Sequence, residues 1–257
     1  MPADLHFPAG LLFGFLLVLA RVGGALVFVP LPGTAGTPSA ARAALAVGFT
    51  LALAPRWPLL SGAPPECGVL LAWLAGEAAL GLAVGVAVAI VLEAFILAAQ
   101  AMGLQAGYAY ASTIDPNTEA DSGILLVFAQ LMGGMLFFSL GLDRQVVRLF
   151  AETLERIPPG GFAPGPAAAA AVIRLGASLF AFGVRLALPV VGLLLMVDVA
   201  LALVGRINSQ LQLLTLAFPV KMLAALAVLG WIASLVPRLT LELAGVAWTA
   251  LARVLGG

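Results

Sequence analysis

The chain has 257 residues, of which 63% are hydrophobic and 9% are charged, whereas a soluble globular domain carries about 25% charged residues. The 12 basic residues balance 12 acidic ones, so no positive surplus draws the chain to nucleic acid, and no nucleic-acid partner is expected. With a mean hydropathy of +1.14, this composition excludes a large soluble catalytic domain and predicts an integral membrane protein.

Six apolar runs follow one another along the chain, without the alternation that marks the strands of a barrel. Backbone amides in lipid must be satisfied within the segment, so the runs are predicted to be helices. The fold class is therefore all-α, a polytopic membrane protein of about six long helices or helical hairpins. The second run is too short for a confident span. The runs cover residues 11–29, 43–53, 69–92, 124–142, 176–204 and 213–236.

Turn-forming segments rich in proline and glycine separate the runs and predict where helices end. The alanine-rich residues 167–171 are the exception, because alanine favours helix, and they predict a helix start. The amino terminus lacks a basic region and a cleavage site, so we expect it to stay attached. The turn-forming segments are 30–39, 55–68, 115–123 and 157–166.

Pairs of glycines four residues apart allow helix backbones to approach closely. Such pairs favour packing within the chain, although contacts with other subunits remain the alternative. They are Gly10 with Gly14, Gly81 with Gly85, and Gly103 with Gly107.

Residues suited to catalysis or metal binding are scarce. The chain has one cysteine, Cys67, and one histidine, His6, which precedes the first run. The usual zinc and haem ligands are missing, and no phosphate-binding loop or hydrolase motif is present. We therefore predict that the chain is not an enzyme and uses no metal or cofactor.

Five charged residues interrupt the apolar runs, and in lipid each mid-span charge costs roughly 2.5–3.5 kcal/mol. One interpretation places them in a polar conduit or against partner subunits. The other pairs Arg21 or Arg185 with an acidic member of the set inside the chain. Near the ends of runs, Arg42, Glu93 and Arg206 can instead extend to the membrane interface. The five are Arg21, Glu77, Arg185, Asp198 and Lys221.

Residues 103–117 combine a glycine-rich approach, a polar stretch and an Asp115-Pro116 turn between long apolar runs. Further motifs precede and follow this segment in a definite order. In that order they resemble the FliR family of flagellar and type III secretion export-gate proteins over nearly the whole chain. The departures are Ser209, Gln212 and the lack of a histidine after Gly141. The other matching positions are Arg21, Pro30, Pro38, Arg42, Ile157-Pro158, Arg206, Gln210, Phe218-Pro219 and Lys221.

The resemblance implies a multi-pass subunit of the bacterial inner membrane, in the flagellar basal body. With FliP and FliQ it would form the pore for unfolded flagellar proteins, with FlhB and FlhA as neighbours. Residues 1–257 would form one domain, a FliP-like part followed by a FliQ-like hairpin, joined near residues 157–166. Family members are thought to sit largely above the bilayer plane, which would keep the charges away from membrane lipid.

The resemblance also implies that residues 103–121 form a plug across the closed pore. Gly103 and Gly107 would permit unusual backbone angles and tight packing, while Tyr108 and Tyr110 supply bulk. The alternative is an ordinary surface loop with a type I turn, for which Asp115 and Pro116 are good residues. A further hypothesis assigns two cations, Arg206 and Lys221, to holding partner helices.

A rival class is a proton-coupled secondary transporter. Glu77 or Asp198 would carry the coupled proton, and a break at Pro189 would shape the substrate site. The two halves of the sequence show no persuasive repeat of the kind that such transporters often have. A purely structural membrane scaffold differs from a pore subunit only in lacking a conduit, which sequence cannot reveal.

Overall fold

The computed structural model describes residues 9–29, 39–57, 65–107, 124–162, 165–207 and 213–254. All regular structure in these ranges is helical, which confirms the predicted all-α class. A short 3₁₀ turn, Ala54–Arg56, follows the second helix. The helices are α1 (Ala9–Phe28), α2 (Ser39–Ala52), α3 (Cys67–Ala106), α4 (Ile124–Ser139), α5 (Leu142–Arg156), α6 (Pro166–Ile207), α7 (Leu213–Ile232) and α8 (Val236–Val254).

Three helices in the described part of the chain are long and apolar enough to cross a membrane. They correspond to α1, α3 and α6, whereas α2 has only 14 residues, as its short apolar run predicted. The fourth and sixth runs each belong to a bent pair of helices, α4 with α5 at 63° and α7 with α8 at 68°. If each bent pair is one span, the described helices provide up to five.

The two longest helices extend beyond the apolar runs that predicted them. Helix α3 has 40 residues and continues past residue 92 through Glu93 and Gln105. Helix α6 has 42 residues and begins at Pro166, so the alanine-rich stretch is a helix start, as predicted. Helix α6 also continues through Pro189. The break that the transporter hypothesis placed at Pro189 is therefore wrong.

The bends lie where the local sequence interrupts the helical hydrogen bonds. Gly141 separates α4 from α5 with φ of +68°, a left-handed conformation that glycine adopts without a steric penalty. The α7–α8 bend falls at residues 233–235, and Pro237 then occupies the first turn of α8, where a missing amide hydrogen costs little.

The chain divides into two compact units, and the division falls inside α3, α6 and α8 and at the turn between α4 and α5. The first comprises the described residues of 1–90, 141–176 and 245–257. Its core includes Leu17, Leu80 and Leu142, each fully buried. The second comprises the described residues of 91–140 and 177–244. Its core is one apolar cluster that includes Met102, Ala106, Leu194 and Ala225.

The long helices differ in how much of their apolar surface the chain itself covers. In the most apolar stretch of α3, 61% of residues are buried, compared with 17% in α6. Phe180, Leu188 and Met196 of α6 are each more than half exposed. Apolar side chains exposed along so long a helix must be covered by lipid or by other chains.

Candidate functional site

The first unit contains a fully buried ion pair between α1 and α3, formed by Arg21 and Glu77, with both side chains 0% exposed. Arg21 Nε donates to Glu77 Oε2 at 2.5 Å. Its Nη1 donates to Thr153 Oγ1 at 3.3 Å, and its Nη2 donates to the carbonyl oxygen of Ile157 at 2.9 Å. The amide of Gly160 donates to Glu77 Oε1 at 2.9 Å. We call these five residues the Arg21 cluster.

Close packing of two helix backbones brings Arg21 and Glu77 together. A Cβ added at Gly81 would lie 2.0 Å from the carbonyl oxygen of Arg21, and one at Gly85 would lie 2.4 Å from that of Ala25. Only glycine permits such an approach. The prediction of packing within the chain is therefore confirmed for Gly81 and Gly85.

Gly160 completes the Arg21 cluster from the loop after α5. Its φ is +90°, so the left-handed conformation favours glycine. A Cβ there would also lie 2.9 Å from the Cδ2 atom of Trp73. The loop can therefore lie against α3 with its amide aimed at Glu77.

The Arg21 cluster satisfies all its charged atoms internally. Each guanidinium nitrogen of Arg21 and each carboxylate oxygen of Glu77 has a hydrogen-bond partner. Buried ion pairs are tolerated when such bonds replace those lost with water. Of the two interpretations that the sequence left open, the geometry of Arg21 and Glu77 corresponds to internal pairing.

A second charged group lies in the second unit and connects α3, α6 and α7. Lys221 Nζ forms an ion pair with Asp198 Oδ1, and Gln105 Nε2 donates to Asp198 Oδ2 at 2.9 Å. The Lys221 side chain is 16% exposed and that of Asp198 is 37% exposed. We call these three residues the Asp198 cluster.

The remaining charges that the sequence singled out are exposed. Arg185 pairs with Glu242 at 3.5 Å, rather than with Glu77 or Asp198. Arg42 and Arg206 form no ion pair with another described residue. Each lies within a few residues of an end of its helix, as the sequence predicted, whereas Glu93 lies in the interior of α3, so the prediction is wrong for Glu93.

Three residues in these networks were missed at the level of sequence: Gln105, Thr153 and Glu242. A single glutamine or threonine in a helix carries no signal of its partner, because the partner is distant along the chain. Glu242 lies outside the six apolar runs, so it does not stand out in the sequence as a charge within a predicted span.

The predicted plug segment is described only at its beginning. Gly107 ends α3 with φ of +85°, as a glycine with an unusual backbone angle was predicted to do. Gly103, in contrast, lies in regular helix, and no described atom lies within 4 Å of the place where a Cβ would be. Tight packing at Gly103 stays a prediction, because most of the plug segment lies outside the described residues. Tyr108, Tyr110, Asp115 and Pro116 lie outside those residues, as do Pro30, Pro38 and Gln210.

The fold and these clusters define an all-α, multi-pass membrane protein that carries ion pairs within its helical units. A family model described as bacterial export proteins, family 1, matches residues 12–245. The chain belongs to this family, which confirms the resemblance inferred from the order of its motifs.

Individual relatives cover most of the chain. It is 27% identical over 213 residues to the flagellar biosynthetic protein FliR of Escherichia coli strain K12, which covers 82% of this chain and 81% of that protein. It is 27% identical over 224 residues to FliR of Pectobacterium carotovorum, with 87% and 84% covered. FliR of Caulobacter vibrioides is also 27% identical, over 215 residues, with 83% and 86% covered.

Proposed function

We propose that the chain is a subunit of the flagellar type III protein export gate in the bacterial inner membrane, needed for flagellum assembly. Together with FliP and FliQ it forms the pore through which unfolded flagellar proteins leave the cytoplasm, with FlhB and FlhA as neighbours in the basal body. The family match over residues 12–245 carries this proposal. Its role is to build a passage, and we assign it no catalytic step.

The exposed apolar surface of α6 supports a place among other subunits. Helix α6 buries only 17% of its most apolar stretch within the chain, and partner helices would cover the rest. Arg206 lies one residue before the end of α6 and is exposed. Since Lys221 already has an internal partner in Asp198, Arg206 is the better candidate for holding a partner helix.

Two features of the described residues favour this proposal over a proton-coupled secondary transporter. Helix α6 is continuous through Pro189, where the transporter hypothesis needed a break. In addition, both oxygens of Glu77 are engaged, one by Arg21 and one by the amide of Gly160. This buried carboxylate is therefore one half of an internal ion pair.

Co-expression with FliP and FliQ of the same organism tests the proposal. The chain would carry the affinity tag, and native mass spectrometry would determine the mass of the purified complex. We expect a complex that contains all three proteins. A chain that purified alone or only with copies of itself, while FliP and FliQ were demonstrably expressed, would contradict the proposal and favour a transporter.

The same preparation tests Arg206. We expect Arg206→Gln to lower the fraction of the chain recovered with FliP and FliQ, because a charged contact to a partner helix is lost. Arg174→Gln, at another exposed position on α6, is the matched control and should leave recovery unchanged. Equal recovery of both variants would show that Arg206 does not hold a partner.

We further propose that residues 103–121 plug the closed conduit. Deleting residues 107–117 is expected to leave the complex assembled and to raise its conductance for small ions, because the obstruction is shortened. Planar-bilayer recordings on complexes of verified mass would measure this, with the unmodified complex as the control. Unchanged conductance in an assembled deletion complex would refute the plug.

A further inference from the structure

We propose that one uncovered face of α3, around Glu93 and Gln100, binds a helix of a neighbouring subunit that brings a lysine or an arginine opposite Glu93. This inference rests on the proposed function and deepens it, because it states the chemistry of one partner contact. The face belongs to the part of α3 that lies in the second unit. We call it the Glu93 face, and it consists of Glu93, Ile96, Gln100, Gly103 and Leu104.

The Glu93 face lies opposite the side of α3 that packs into the core. Phe95, Ala99, Met102 and Ala106 belong to the apolar cluster of the second unit, and each is at most 4% exposed. Both sets of residues recur at intervals of three or four positions, and the two sets are offset by two positions. Since a helix turns about 100° per residue, this offset places them on opposite sides. The chain therefore covers one side of this part of α3 and leaves the other side uncovered.

The spacing and exposure of the Glu93 face suit the packing of a second helix. Glu93 and Gln100 are exposed, and Leu104 is 71% exposed. Outside its own stretch of helix, no described atom lies within 4 Å of the place where a Cβ would be at Gly103, so another backbone can approach closely there. Positions 93, 96, 100 and 103 follow the alternation of three and four residues that is typical of a seam between two helices.

Glu93 is the acidic residue of α3 that has no cation beside it within the described part of the chain. Glu77 of the same helix is buried against Arg21. Glu93 forms no ion pair with another described residue, and neither Glu93 nor Gln100 forms a side-chain hydrogen bond to one. A carboxylate and an amide therefore stand without partners on an otherwise apolar surface.

Among the surroundings that a membrane protein meets, one suits every side chain of the Glu93 face. Water would solvate the carboxylate but would leave Ile96 and Leu104 exposed to it. Lipid would cover those two residues but would leave a charge unpaired, which is costly. A helix that carries a lysine or an arginine covers the apolar side chains and also supplies the counter-charge, and a charge-assisted hydrogen bond would strengthen the contact.

Charge reversal at Glu93 tests the contact in the complex co-expressed with FliP and FliQ. We expect Glu93→Lys to lower the recovery of the partner subunits about tenfold, because two cations then oppose each other. Recovery is expressed per molecule of the tagged chain, so a smaller amount of the chain itself does not count as lost binding. Glu93→Gln keeps the size of the side chain and should lower recovery less.

Glu152→Lys is the matched control for charge reversal. Glu152 is also exposed and forms no ion pair with another described residue, but it lies on α5 in the first unit. Its recovery should equal that of the unmodified chain. A loss as large as that of Glu93→Lys would show that any added cation weakens assembly, and it would overturn the inference.

Photo-cross-linking identifies what lies on the Glu93 face. Benzoylphenylalanine would replace Ile96, one helical turn from Glu93, and Leu104 is the second position if that change prevents assembly. We expect a cross-link to a partner subunit, at a helical segment that carries a lysine or an arginine. Changing that cation to glutamate in the Glu93→Lys variant should return recovery towards that of the unmodified chain.

The outcomes separate this inference from the proposed function. In a complex of verified mass, cross-links that reach only lipid or a second copy of this chain would overturn the inference. Unchanged recovery of Glu93→Lys, or a cross-linked segment without a cation, would do the same. The proposed function would stand in each of these cases. It fails if the unmodified chain recovers neither FliP nor FliQ, and the partner contact then fails with it.

Discussion

Replacing Arg21 by methionine is expected to lower the free energy of unfolding by about 3–5 kcal/mol, because the carboxylate of Glu77 would remain buried without a counter-charge. The hydroxyl of Thr153 and the carbonyl oxygen of Ile157 would lose a donor in the same step. An effect of this size is a large part of the stability of an ordinary domain. We therefore expect little folded protein in the membrane.

The amount of full-length chain in washed membranes and the melting temperature of the purified complex would measure this effect. Arg56→Met is the matched control, since it breaks the Arg56–Glu155 pair of the same unit, whose side chains are 47% and 62% exposed. Surface pairs contribute at most about 1 kcal/mol, so this variant should resemble the unmodified chain. Equal losses in both variants would mean that the buried Arg21–Glu77 pair contributes no more to stability than an exposed pair does.

Glu77→Gln distinguishes the charge from the hydrogen bonds. Glutamine keeps an oxygen that can accept from the amide of Gly160, but it leaves the Arg21 cation uncompensated. We expect a loss smaller than that of Glu77→Ala, which removes both functions. Identical losses in these two variants would indicate that the hydrogen bond from Gly160 contributes nothing measurable.

Gly81→Ala is expected to produce the second large effect, by forcing α1 and α3 apart. The added Cβ would lie 2.0 Å from the carbonyl oxygen of Arg21 and 3.0 Å from the amide nitrogen of Ala25. These are backbone atoms, so no side-chain rotation relieves the collision. Overpacking of this kind costs about 3 kcal/mol, and separating the helices would also stretch the bond between Arg21 and Glu77.

Gly23→Ala controls for the change in helix propensity. No described atom lies within 4 Å of a Cβ at Gly23, and alanine favours helix by about 1 kcal/mol over glycine. This variant should therefore match or exceed the unmodified chain in melting temperature, while Gly81→Ala falls below it. If both variants behaved alike, close packing at Gly81 would not be what holds α1 against α3.

The helices can be predicted from the sequence because apolar runs and alanine-rich stretches favour a helix through residues that are neighbours along the chain. The start of α6 at Pro166 and the close packing at Gly81 and Gly85 are examples in which a short pattern determines a local outcome. The length of α3 was underestimated for a related reason. Polar residues such as Glu93 lower hydropathy without interrupting a helix.

The partners of the charges could not be predicted from the same patterns. Arg21 meets Glu77 across 56 positions of the chain, and a run of hydropathy contains no information about which helices become neighbours. Lys221 and Asp198 are an example in the second unit. The sequence analysis considered an arginine as the partner of Asp198 and a partner helix as the contact of Lys221, whereas the two side chains pair with each other.

The length of α3 has a consequence for how deep any of its residues can lie in a bilayer. At about 1.5 Å per residue, its 40 residues reach about 60 Å, twice the roughly 30 Å of hydrocarbon in a membrane. Tilts of transmembrane helices reach about 40°, too little to absorb this mismatch. Part of this apolar helix must therefore be surrounded by protein rather than by lipid. The position of a residue along α3 then does not give its depth in the membrane.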